Sequence, residues 1–161
     1  MKEAAAMLSR RALASVSLVV FASPALAAPK LSAEVWRDPN CGCCLGWVEH
    51  LRAEDFAVTD HVVASVAPIR RMLGTPADLL SCHAARVAGW LKVEGHVPAL
   101  AIRRALAETP PGVVGLAVPA MPIGTPGMEV PGQEAEVYHV VAWRADGSHF
   151  PWLRMRGSKV L

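Results

Sequence analysis

The 161-residue sequence predicts an α/β fold with a central mixed sheet flanked by helices. Short β-branched runs alternate along the chain with segments of helical period. Three of the four cysteines fall within four positions, at the handover from the first such run to the first helical segment. The fourth, Cys82, opens a turn that leads into a strand pair. Hydrophobic residues make up 53% of the chain and charged ones 19%, enough apolar surface for a packed core and too much for a disordered chain.

Leu31 to Arg37 reads as a strand that stops at Asp38-Pro39-Asn40. Cys44 to Glu54 reads as a helix, with Cys44, Val48 and Leu51 on one face and Glu49, Arg52 and Glu54 elsewhere. Phe56 to Val63 alternates and is rich in β-branched residues, so it is a second strand. Ser65 caps a short helix with Pro68 in its first turn and Gly74 just past its end. Thr75-Pro76 starts a single turn that delivers the chain to Ser81-Cys82-His83. Ala84 to Val93 is a strand pair turning at Gly89, and Pro98 to Glu108 a helix with Ala99, Ile102 and Leu106 inward and Arg103 and Arg104 outward. Pro110 to Gly132 holds six Pro and five Gly, and no regular element fits it; its apolar content marks a long ordered loop packed over one end of the sheet. Val137 to Trp143 is expected to be the last strand, followed by a turn at Ala145-Asp146-Gly147. The order β-α-β-α-β-β-α is thioredoxin-like. The stretch from Ser81 to Gly95 also resembles the glutaredoxin pattern, with His83 at its cis-proline position. That turn packs against the cysteine loop, so Cys82 is expected within side-chain reach of Cys41, Cys43 and Cys44.

Residues 1–27 have the form of a secretory signal. Lys2, Arg10 and Arg11 are a positive start, Ala12 to Ala22 an apolar stretch, and Ala25-Leu26-Ala27 a small-residue cleavage site. The apolar stretch is too short for a stable membrane anchor. Ser9-Arg10-Arg11 partly matches a twin-arginine signal, so the export route stays open. The expected organisation is therefore a cleaved segment, 1–27, and one domain, 28–161. The full chain carries a net charge of +2. Three of its cations, Lys2, Arg10 and Arg11, leave with the signal together with Glu3, so the charges of the remainder balance. That removes the electrostatic basis for a nucleic-acid or membrane-surface partner. Export points to the oxidising periplasm.

Cys41-Gly42-Cys43-Cys44 overlays a C-x-x-C redox dithiol on a C-x-C metal-thiolate spacing. The start of a helix favours thiolate over thiol, which suits a nucleophile and a metal ligand alike. Two disulfides or one structural zinc are open readings for four exported cysteines. Thiolates this crowded suit bridging between several soft ions, and Cu(I) tolerates few ligands and shared sulfurs. Met121 and Met128 are soft donors that an exported copper site can recruit, or they are packing residues. Among the histidines, His83 is the strongest candidate, being next to Cys82. His96 reads as a helix cap, His50 as solvent-facing, and His61, His139 and His149 carry no assignment. Trp47, one turn into the first helix, is placed to shield the cluster.

Several blocks, in order, resemble the CopG-type copper-resistance family of small exported bacterial proteins. They are Cys41-Gly42-Cys43-Cys44 with Trp47-Val48, Ser81-Cys82-His83, Val93 to Ala99, and Gly115 to Pro122 continuing to Pro126-Gly127-Met128-Glu129. The resemblance spans about Val35 to Trp143; it says nothing of the tail from Phe150 to Leu161. It implies a thioredoxin-like fold and a polynuclear Cu(I)-thiolate cluster on Cys41, Cys43, Cys44 and Cys82, with His83, Met121 and Met128 as auxiliary candidates. It also implies a periplasmic role in copper resistance, with Cu(I)/Cu(II) interconversion attached, and partners among copper-handling or electron-transfer proteins of that compartment. Whether the chain is an enzyme, a copper-linked oxidoreductase, stays open. Two rivals remain: a thiol–disulfide oxidoreductase using Cys41 and Cys44, and a small exported domain stapled by disulfides or zinc.

Overall fold

The computed structural model describes residues 29–161; the expected signal, 1–27, lies outside them. Eight strands form one mixed sheet. They are β1 (Leu31–Arg37), β2 (Phe56–Val62), β3 (His83–Val87), β4 (Leu91–Glu94), β5 (Val113–Ala117), β6 (Val137–Arg144), β7 (His149–Arg156) and β8 (Lys159–Val160). The spatial order is β2-β1-β3-β4-β5-β6-β7-β8. β1 runs parallel to β2 and β4 parallel to β5, each pair joined through a helix, α1 (Gly42–Ala53) and α3 (Ala99–Glu108); the remaining neighbours are antiparallel. A third helix, α2 (Ala67–Leu73), and a 3-10 turn, Ala77–Leu79, connect β2 to β3. Among the described residues, no helix is long and apolar enough to cross a membrane.

Successive strand residues point to opposite faces, and the packing follows that rule. Val35 and Ala85 join Trp47, Val48 and Leu51 of α1 and Ile102 of α3 in the main core. Their neighbours Trp36 and Ala84 face the other way, onto Val66 and Leu73 around α2. Leu79, Ala117 and Trp143 extend that second face. The sheet is thus covered by α1 and α3 on one side and by α2 with the 3-10 turn on the other.

Two expectations need correction. The stretch 110–132 is not without a regular element: Val113–Ala117 forms β5, between β4 and β6. Its five residues include Gly115 and follow two prolines, so its strand signal is weak; pairing on both edges supplies what local propensity does not. The irregular segment is 118–136, folded on itself by hydrogen bonds such as Glu136 N to Ile123 O and Met128 N to Thr125 O. Nor is Val137 to Trp143 the last strand, since the tail from His149 adds β7 and β8. Pro151 hides β7, because proline lacks the ladder donor. It is accommodated where the β6–β7 register shifts between Val140 and Val141.

Candidate metal centre

β1 ends at Arg37, whose guanidinium grips the Asp60 carboxylate of β2 at 2.9–3.2 Å. Asp38 then builds the turn that follows: its side chain accepts from Asn40 N at 2.8 Å and its carbonyl from Cys41 N at 3.2 Å. Cys41 is thereby set as the N-cap of α1, with Cys43 and Cys44 in the first turn. Cys44 is buried; Cys41 and Cys43 are half-buried. Cys41 and Cys44 are joined in a disulfide, Cα atoms 5.3 Å apart. Cys43 Sγ lies 3.5 Å from Cys41 Sγ.

Cys82 comes from the far side of β1, at the mouth of the β3–β4 pair. Its Sγ is 4.0 Å from Cys43 Sγ, and the four sulfurs all lie within 4.8 Å of one another. The expected approach of Cys82 to the cysteine loop is present, and His83 enters β3 without a cis peptide bond. Burial, reinforced by the Cys43 sulfur, pushes the Cys82 thiol up to about 12. Without a metal, that burial and the neighbouring Cys43 sulfur keep Cys82 a thiol at neutral pH.

A buried polar frame holds that entrance. Glu94, fully buried in β4, accepts from Arg70 Nε at 2.9 Å and from Ser81 N at 2.8 Å. Arg70 also donates to Ser81 O, and Ser81 Oγ donates to Ala120 O at 2.6 Å. Burial raises the Glu94 carboxyl, while the Arg70 and Ser81 donors pull it back. The sequence assigns Arg70 and Glu94 no role, although Glu94 lies within the Val93 to Ala99 block. Alternation puts Glu94 on the same strand face as Lys92, which reads as a solvated face, and only the packing of α2 reveals a buried partner there.

His83 is where the sequence places it, beside Cys82 with Nδ1 3.4 Å from Sγ. It is fully buried against the Trp47 ring, with centroids 4.4 Å apart. Burial first, and then the nearby Arg70 charge and the cost of charging it beside His96, hold it well below the usual imidazole range, so it is neutral. Trp47 is itself buried behind the cluster and donates its indole N–H to Val97 O at 2.8 Å. The roles expected of His96 and His50 both need correction. His96 does not cap a helix: it is buried, its Nε2 is 3.0 Å from Cys82 Sγ, and its Nδ1 is 2.8 Å from the Pro126 carbonyl. His50 is not turned to solvent: its Nε2 accepts from Ala99 N at 3.1 Å, capping α3, and burial lowers its basicity. The His-Val-Pro string masks this, because any histidine just before a helix looks like a cap.

Segment 118–136 closes the remaining side. A Cβ on Gly127, whose φ is +85°, would stand 2.5 Å from Cys43 O and 2.6 Å from Trp47 N; only glycine permits this approach. Met121 follows Ala120, which holds Ser81, and Met128 follows Gly127, so each methionine is one residue from a backbone contact with the site wall. Met121 is half exposed and Met128 half-buried.

A mixed sheet of eight strands with helices on both faces, carrying a four-sulfur cluster at a helix start, defines a small cysteine-cluster α/β protein. Two solved structures are similar to this chain. Those titled "Copper resistance protein copG- Form 1" and "Form 2" are each 40% identical to this chain, with TM-scores of 0.72 and 0.71. They cover 81% and 78% of it, and 100% and 98% of themselves. A family model described as "Protein of unknown function, DUF411" matches residues 79–128, which hold Cys82, Glu94, His96 and Met128. No curated protein matches. The chain belongs to the CopG copper resistance protein family.

Proposed function

We propose that this protein is an exported, periplasmic copper-binding protein of copper resistance, taking Cu(I) as its cargo on Cys41, Cys43, Cys44 and Cys82. The observation that carries this is the convergence of four sulfurs within 4.8 Å from a loop, a helix and a strand entrance. An all-sulfur donor set selects soft ions, and sulfurs this close can share metals, which supports several Cu(I) per chain. The element order through α3 supports reading the frame as thioredoxin-like. Residues 1–27 are the cleaved signal and 28–161 the working domain. Met121 and Met128 are auxiliary donors at the rim.

The redox role has a source of electrons in the chain. Reduced Cys41 and Cys44 passing to their disulfide release two electrons, which turn two Cu(II) into two Cu(I), and their two thiol protons, which go to solvent; in reverse, the disulfide takes two electrons from two Cu(I) and two protons from solvent. The Cys41–Cys44 disulfide also favours the rival reading, a thiol–disulfide oxidoreductase. Cys43 separates the two readings, since exchange needs one attacking and one resolving sulfur and leaves Cys43 idle. Reduced protein titrated with Cu(I) without oxygen is expected to bind more than one ion, with thiolate-to-copper absorption. Cys43→Ser is expected to lower that number and to impair copper tolerance in cells about as much as Cys41→Ser. Full tolerance in Cys43→Ser, lost in Cys41→Ser and Cys44→Ser, would replace this reading with the oxidoreductase.

A further inference from the structure

With Cys41 and Cys44 tied to one another, two of the four sulfurs are withdrawn from any metal. The donors that remain are not random. Cys82 Sγ, His96 Nε2 and His83 Nδ1 form a second cluster, with Cys82 3.0 Å from His96 and 3.4 Å from His83, and Cys43 Sγ standing 4.0 Å behind. We propose that Cys82, His83 and His96 form a mononuclear copper site of one sulfur and two nitrogens, open when the Cys41–Cys44 disulfide is closed. It rests on the reading above that this centre handles copper, and it gives the disulfide-oxidised protein a place to keep an ion.

Three observations support the assignment. His96 is oriented as metal-binding histidines are. The Pro126 carbonyl can only accept, so Nδ1 carries the proton and the Nε2 lone pair faces Cys82. His83 is fully buried, and the nitrogen it turns to Cys82 is Nδ1, 3.4 Å from Sγ. Finally, the spacing suits an ion. Metal–nitrogen and metal–sulfur bonds of usual length in trigonal or tetrahedral geometry hold their donors roughly 3.5–3.8 Å apart, so the cluster need open by less than about 1 Å. One thiolate with two imidazoles is a set that suits copper, and the Cys43 sulfur is within reach as a further donor.

The experiment uses purified protein carrying the disulfide, verified by two free thiols per chain, and titrates it with Cu(I) under anaerobic conditions. One Cu(I) per chain is expected, with X-ray absorption showing nitrogen as well as sulfur neighbours. His96→Gln should weaken this binding by about 10-fold or more. No Cu(I) bound in the disulfide form, or a sulfur-only shell in the wild-type protein, overturns the site whatever the variant does. Reduced wild-type protein is titrated in parallel. Several Cu(I) there and none in the disulfide form removes the mixed site and leaves the four-sulfur reading standing. A single Cu(I) with nitrogen neighbours in both forms does the reverse.

Discussion

Cys41, Cys43 and Cys44 are brought together by four consecutive residues, an Asp38 turn and a helix start. Cys82 is placed by groups from four separate segments: Arg70 of α2, Glu94 of β4, Ala120 of the long loop and its own neighbour Ser81. The first wall of the centre is local. The backbone of one turn dictates it, and its sulfurs stand where a helix dipole acts on them. The second wall is tertiary, and its thiol and imidazoles are kept neutral by burial. A site of this construction has a rigid, charge-supported half and a half whose geometry depends on a buried ion pair. Changes to the frame should therefore move Cys82 and spare the loop sulfurs.

The largest effect is expected from Glu94→Ala. It leaves the half-buried Arg70 without its carboxylate and Ser81 N–H without an acceptor, which is expected to cost about 3 kcal/mol. Urea unfolding measures the loss. Glu94→Gln keeps an acceptor for Ser81 and should cost less. In either variant that remains folded, copper stoichiometry should fall as in Cys82→Ser. A Glu94→Ala protein of unchanged stability would show that the second wall does not depend on the ion pair.

Gly46→Ala probes the contact between the walls. In a free helix this change stabilises by about 1 kcal/mol. Here the new Cβ would stand 2.9 Å from the Gly127 Cα, so the long loop must shift and overpacking is expected to cost about 1–3 kcal/mol instead. Because Pro126 holds His96, the loop shift should also disturb His96, visible in its ring resonances by NMR. A stabilised Gly46→Ala would mean that the loop yields freely.

The smallest effect is in pH. Folded His83 stays neutral well below the usual value near 6.5, whereas the unfolded chain takes up a proton there, so the folded state binds fewer protons as pH falls. Stability is therefore full above about pH 6.5 and declines on acidification, by about 1.4 kcal/mol per pH unit for one such group, or about 4 °C in Tm. His96 and His50, also lowered by burial, act in the same direction. Glu94, raised by burial, opposes them above its ordinary value. Melting the metal-free protein between pH 7.5 and 5.5 measures the sum. A flat profile would mean that the imidazoles are hydrated in the folded protein.

The sequence by itself determined the local parts of this protein. β1, α2 and its Gly74 end, the β3–β4 pair and α3 are legible because period, proline and glycine act within a few residues. The three loop cysteines are legible because they are neighbours in the chain, and the proximity of Cys82 because the stretch from Ser81 to Gly95 resembles the glutaredoxin turn that packs on such a loop. Only the tertiary structure decided the rest. β5 and β7 exist through pairing on their edges, against a weak or proline-interrupted local signal. Glu94 looks solvated until α2 covers it with Arg70, and His50 rather than His96 caps α3 because a cap is defined by the atom that reaches the helix end and not by chain position. Burial, hydrogen-bond partners and proton affinity depend on what packs from elsewhere in the chain, and no window of sequence contains that neighbour.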